Sequence, residues 1–368
     1  MKKLLALWMV IFVGVCIAGD MDDYALRKQE LAPPDIAKAV LRVENRYVAV
    51  QCDDEDGQFN IGTADNRTLL YNFPSDPWSS HTIVKIDGSY YTNNSSLIGT
   101  GWPGLSLMPV SDSFEIVPIS EDTSAIIGGW SVSGVDITQT LMPVYLIYPG
   151  DTSGTIFINY TIANHDTEPH NVGLMLELDT MVGPNDAAPL GTAFGYASTE
   201  RDFFGPDSMP DFWLAYEEGP WEPMEDQLVA MGILRGFDAV VPDRFAVGGW
   251  GTFYRAHWDH TVSGDEYGDS AVLYWWNPIT VEPGETRIVA TYYGLGRPMG
   301  VPGLNIALPP QLNVRYCEYD PNPFEVVALV TNVGITTLRN VNCIISVSYT
   351  HLRAHETSLH LVCRLLLE

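Results

Sequence analysis

The chain has 368 residues, with 46 acidic against 19 basic and a formal net charge of −27 at neutral pH. That balance argues against a nucleic-acid surface, because phosphate contacts need clustered Lys and Arg. Hydrophobic residues make up 46% of the chain alongside 32 Gly and 25 Pro, a composition that predicts a sizeable core joined by many turns.

Met1-Lys2-Lys3, an apolar run over 4–17 and the small residues around Ala18 predict a secretory signal peptide at 1–18. The protein is therefore expected to be secreted or held at the cell surface. The run is short for a membrane span, and no later stretch reaches the roughly 18 apolar residues a spanning helix needs. No transmembrane segment is expected in the mature fragment. Residues 19–46 form an N-terminal segment with a short helix expected around 35–43, just after Pro33-Pro34.

From 47 to 296 the pattern is β throughout. Two strands flank Asp87-Gly88, and two more flank Ser133-Gly134, both strong hairpin signals. Alternating runs follow at 155–162, 171–178, 228–234, 245–250, 270–276 and 286–293, with a polar turn at 164–170. Many short strands without helical interruption predict an all-β fold, a large antiparallel β-sandwich over 47–296. The adjacent Trp275 and Trp276 must then point to opposite faces.

A Pro/Gly linker is expected at 297–311. Alternation resumes at 312–316 and 324–331, which predicts a truncated immunoglobulin-like β-sandwich over 312–346. The final stretch, 347–368, changes character to His, Arg and Leu in no period. Back-translated, 347–357 spell a transposase-type sequencing adapter and 361–368 its distal primer, so 347–368 is expected to be a non-native tail of translated adapter.

Two resemblances attach to particular residues. The stretch PFEVVALVTNVG at 323–334, with Leu338 to Val341 after it, resembles the start of CARDB-like cell-adhesion repeats of bacterial surface proteins. The motifs LDTMVGPND (178–186), PDR (242–244), DSAVLYWWNP (269–278), PGET (283–286) and TYYGLG (291–296) resemble an uncharacterised β-rich module of long bacterial exported proteins. The resemblances imply a module at the head of a longer surface protein, with no assigned activity.

Several constellations carry chemistry on paper. Asp179, Asn185 and Asp186 bracket a tight loop of oxygen donors, as a hard cation requires, which makes calcium the one candidate cofactor. The alternative is a turn whose Asx side chains bond their own backbone. His257, Asp259 and His260 cannot converge on zinc if they lie on a strand, where alternate residues face opposite ways. His165 and His170 fall in a turn and are expected to be exposed. Gly99, Gly101 and Gly104 spell a dinucleotide loop, yet Pro103 and the strand-like sequence after it deny the helix such a loop needs. Asp243, Arg244 and Asp269 sit beside strand patterns and are expected to be ion-pair anchors. Among the mature cysteines Cys52, Cys317 and Cys343, the expected bridge is Cys317 with Cys343.

The acidic, aromatic stretch 211–226 is the candidate exposed loop, offering Trp213, Tyr216 and Trp221 as stacking surfaces for a sugar. The expected function is an exported, non-enzymatic β-sandwich module of a larger adhesion-type protein, with the weight leaning against an enzyme. The alternative is a protein that binds or hydrolyses glycans through that Trp/Asp-rich loop. The expected partner is a glycan or another surface protein.

Overall fold

Period-two alternation makes strands of nearly every ordered stretch between residues 39 and 296. The computed structural model describes Lys28, residues 39–296 apart from 99, 108–113, 149–150, 193, 206–207 and 220–226, and several short strands beyond 301.

A small antiparallel sheet comes first: β1 (Val40–Glu44), β2 (Val48–Asp53) and β3 (Phe59–Thr63). The chain then runs through β4 (His81–Ile86), β5 (Ser89–Thr92), β6 (Leu105–Ser106), β7 (Glu115–Ser120), β8 (Thr123–Val132), β9 (Val135–Tyr148), β10 (Asp151–Asn164) and β11 (His170–Asp179). Four short strands follow: β12 (Leu190–Thr192), β13 (Gly195–Ala197), β14 (Arg201–Phe204) and β15 (Phe212–Tyr216). The sandwich closes with β16 (Val229–Ile233), β17 (Arg244–Gly249), the one-turn helix α1 (Trp250–Phe253), β18 (Ser270–Val281) and β19 (Thr286–Leu295).

These strands form a nine-stranded front sheet, β13-β12-β15-β16-β19-β10-β9-β8-β7, and a seven-stranded back sheet, β14-β17-β18-β11-β4-β5-β6. The expectation of a large antiparallel sandwich holds; the parallel pairing within these two sheets is β5 with β6. Both expected hairpins close on left-handed turn residues. Asp87 and Gly88 have φ of 48° and 90°, and Ser133 and Gly134 have 53° and 77°, the backbone twist a two-residue hairpin loop needs.

The main core lies between the sheets. Leu174, Leu176 and Leu178 of β11 and Val272, Tyr274 and Trp276 of β18 meet Ile156, Ile158, Tyr160 and Ile162 of β10. Two of its largest polar side chains are paired: Trp213 Nε1 donates to Tyr274 Oη at 2.6 Å, and Tyr293 Oη donates to the Leu69 carbonyl at 2.8 Å. The outer face of the back sheet carries a second cluster, with Met175, Leu273 and Trp275 packed under Trp78, Trp102, Trp250 and Phe253. Trp275 and Trp276 do face opposite ways, and both are buried, because α1 and the loops around it cover the outward ring.

Several expectations are corrected. Of the helix expected around 35–43, residues 40–43 are strand, since Val40–Glu44 pairs antiparallel with β2 and places Val43 in the core; residues 35–38 lie outside the described residues. The stretch 211–226 is not one long loop: Phe212–Tyr216 is β15, hydrogen-bonded in register to β16. The region expected as a linker holds β20 (Pro302–Ala307). After it come β21 (Asn313–Arg315), β22 (Glu318–Asp320), β23 (Val326–Asn332) and β24 (Cys363–Leu367). β20 pairs with β23 antiparallel and β24 with β23 in parallel. The expected signal peptide at 1–18, the cysteines Cys317 and Cys343, and residues 347–362 and 368 of the expected tail lie outside the described residues. Among the described residues, no helix is long and apolar enough to cross a membrane.

Candidate functional site

Strand alternation on the back sheet sends His81 of β4, and Glu177 and Asp179 of β11, to the outer face, with His81 directly across from Glu177 and Asp179 across from Ala271 of β18. Asp269 sits one residue before β18. Asp186 arrives from the turn after β11, where Gly183 takes φ of 58° and Val182 bridges to Asn185. The three aspartates converge: their oxygens lie within 4.8 Å of one another.

Lys28 fills the space between them. Its Nζ donates to Asp179 Oδ1 at 3.0 Å, Asp186 Oδ1 at 2.9 Å and Asp269 Oδ1 at 3.0 Å, and its side chain is 1% exposed. The ammonium also lies 3.9 Å from the ring centre of Tyr71 and 4.9 Å from that of Trp250, aromatic faces that favour a cation. Burial works against the charge on Lys28, but the three carboxylates outweigh it and raise the ammonium above the ordinary lysine range. Burial likewise pushes the Asp179 and Asp269 carboxyls far up, against the pull of Lys28, and each carboxylate further disfavours charge on its neighbours.

Beside this cage, His81 Nδ1 lies 3.3 Å from Glu177 Oε2, both side chains fully buried. The spacing is that of an ion pair, but burial favours two neutral groups. It lowers the His81 imidazole to about 4 and raises the Glu177 carboxyl well above its usual range. Neither Glu177 oxygen has a hydrogen bond.

A second group of side chains gathers on the same outer face, where the back sheet meets its loops. Tyr90, opposite Lys85 in the β4–β5 pair, stacks with Trp258 at 6.0 Å between ring centres and 18° between planes. His257 lies 5.3 Å from Tyr90, and Lys85 Nζ sits 5.0 Å and 5.6 Å from the two stacked rings. Trp258 Nε1 donates to Asn277 Oδ1 at 3.3 Å. Tyr90, His257 and Trp258 are half-buried, while Asp259 and Asn277 are exposed.

The residues singled out from sequence are distributed differently from expectation. Asp179 and Asp186 do meet, but Asn185 does not join them: its amide donates to the Glu217 carbonyl at 2.7 Å and its Oδ1 accepts from the Ala187 N–H at 3.0 Å. Trp213, expected as an exposed sugar platform, is fully buried and stacks on Tyr293 in the main core. Tyr216 is 8% exposed and packs with Leu214, Val229 and Met231. Both corrections have one cause, the pairing of β15 inside the front sheet. Trp221 lies outside the described residues.

The 257–260 stretch is a loop after α1 rather than a strand. His260 there bonds Glu200 Oε1 at 2.7 Å and stacks over Trp275. His170, expected in the open, is buried: its Nδ1 meets Asp87 Oδ2 at 2.6 Å and its Nε2 meets Asp166 Oδ2 at 3.2 Å. Arg244 is the anchor it was expected to be, bonded to Asp202 by Nε at 2.9 Å and Nη2 at 2.7 Å, with its guanidinium 4.3 Å above Trp275. Lys28 escaped notice, as did Tyr90 and Trp258 as a pair. A lone lysine in a segment without alternation carries no sequence signal, and a strand residue and a loop residue far apart in the chain reveal their proximity only in three dimensions.

No family model and no curated relative matches the chain. Among solved structures, a galactose mutarotase related enzyme from Lactobacillus acidophilus is similar at 9% identity and a TM-score of 0.38, over 70% of this chain and 97% of its own. A galactose mutarotase-like protein from Lactobacillus casei is similar at 10% identity and a TM-score of 0.38, over 70% and 100%. A heparan sulfate lyase from Pedobacter heparinus is similar at 7% identity and a TM-score of 0.33, over 86% of this chain and 48% of its own. The leaning against an enzyme is corrected on this finding, since these similar structures include a mutarotase related enzyme and a lyase.

Proposed function

We propose that the large sandwich is a carbohydrate-active module that engages a glycan at the aromatic rim of the back sheet, and not at 211–226. The observation that carries this reading is the half-buried Tyr90–Trp258 stack, flanked by His257 and Lys85 and bonded to Asn277. Sugar rings present C–H faces that pack on aromatic faces and hydroxyls that need a few placed polar groups, the mixture typical of small-ligand sites. Lys85, Asn277 and Asp259 supply such groups around the stack. The apolar residues beneath the rim, including Trp102 and Leu97, are buried and give it a rigid floor.

The module is read as exported on the signal peptide at 1–18 and as the head of a longer surface protein continuing into immunoglobulin-like repeats. Amino-terminal sequencing of secreted protein tests the export. A glycan array probed with the full chain tests the binding. Trp258→Ala and Tyr90→Ala are each expected to weaken the retained glycan by at least about tenfold, the effect of removing a central aromatic anchor. An array with no bound glycan, or binding untouched by both substitutions, removes the reading.

A further inference from the structure

The acid cage has more carboxyl oxygens than its occupant bonds. Three carboxylates surround one ammonium, and Glu177, buried on the same face two residues before Asp179, has no hydrogen bond on either oxygen. Its charged form would lie in the field of both Lys28 and Asp269. Asp179 Oδ2 and Asp269 Oδ2 are also buried without a hydrogen bond. These free oxygens call for a more highly charged partner than an ammonium.

The spacing has room for a calcium ion. Calcium takes oxygen ligands at about 2.3–2.6 Å, so ligands on opposite sides lie about 4.6–5.2 Å apart. The aspartate oxygens here lie within 4.8 Å of one another. The distances of 2.9–3.0 Å from Lys28 Nζ shorten by about half an ångström to reach calcium bonds. Magnesium, at about 2.0–2.1 Å in near-ideal octahedral geometry, asks for a larger contraction of residues fixed by strand pairing.

We propose that Asp179, Asp186 and Asp269 form a calcium seat for which the tethered ammonium of Lys28 competes. Lys28 holds the seat with one charge; calcium brings two and uses the carboxylate oxygens that Lys28 leaves unbonded. Asp186 is the route of entry, since its side chain is 29% exposed while those of Asp179 and Asp269 are buried. The seat takes no part in glycan stacking, so the two proposals stand or fall separately.

The test is calorimetric titration of the full chain, stripped of metal, with calcium chloride and then magnesium chloride. Lys28→Met is expected to bind one calcium per chain at least about 100-fold more tightly than the unaltered chain, and magnesium more weakly. Adding Asp269→Asn to Lys28→Met is expected to abolish that binding. A folded Lys28→Met variant that binds calcium no better than the unaltered chain overturns the proposal. If Lys28→Met is unfolded without metal, circular dichroism decides: recovery of strand signal in millimolar calcium supports the seat, and its absence overturns it.

Discussion

The two faces of the back sheet solve the same packing problem in opposite ways. The inner face meets the front sheet with Leu, Val, Ile and aromatic side chains; Trp213 Nε1 and Tyr160 Oη are paired within this core, while Trp130 Nε1 is buried without a hydrogen bond. The outer face is also buried, yet it holds Lys28, His81, Glu177, Asp179 and Asp269 among its aromatics and leaves several of their atoms unbonded. An inner core of this kind is explained by stability alone. Buried charge with unmet hydrogen-bonding capacity is not, because each such group opposes folding. The contrast lies in the buried charge that the outer face carries.

The largest expected effects come from removing an anchor on either face. Trp213→Ala should cost about 3–5 kcal/mol in urea unfolding, the range for emptying a fully packed aromatic site. Asp269→Ala should cost a similar amount, about 3–5 kcal/mol, by breaking a buried charge pair. The two differ in one readout: adding Lys28→Met should restore part of the Asp269→Ala loss and none of the Trp213→Ala loss. Equal behaviour of the two would erase the distinction between the faces.

A middle-sized effect concerns pH. His81 titrates at about 4 in the folded protein against 6.5 when unperturbed. The unfolded chain therefore binds the proton more readily, and the stability from neutral His81 is present above about 6.5 and is lost as pH falls toward 4. The loss amounts to roughly 3 kcal/mol at full extent. Denaturation midpoints between pH 7 and 4 should fall less steeply in His81→Phe.

The smallest effect has the opposite sign and lies at the end of the sandwich. His170 is held between Asp87 and Asp166, whose hydrogen bonds raise its imidazole above 6.5. Its contribution is present below the unfolded value and fades as pH rises through the folded one. His170→Gln should flatten this dependence slightly, because the Asp87 and Asp166 side chains it pairs with are 51% and 40% exposed and solvent screens them. Backbone amide exchange in the Asp87-Gly88 turn, which Asp87 ties to the Asn171 N–H at 2.8 Å, should report it.

Much of the sandwich was legible because alternation and turn chemistry are local. Asp87-Gly88 and Ser133-Gly134 announced their hairpins, and Arg244 announced an anchor. The short strands β12 to β15 were not legible, because three to five residues hold too few periods to distinguish a strand from a loop. The site was half legible. Asp179, Asp186 and Asp269 were each noticed, the first two for a cation and the third as an ion-pair anchor.

Sequence alone determined that this chain is an acidic, strand-built sandwich, since side-chain period and turn residues act over a few positions. Only the tertiary structure decided where its charge and aromatics meet. Lys28 lies 151 residues from Asp179 and 241 from Asp269 along the chain, and Tyr90 on β5 meets Trp258 in the loop after α1. Such meetings are set by strand order and register, which arise from the packing of all strands together and are written in no single segment.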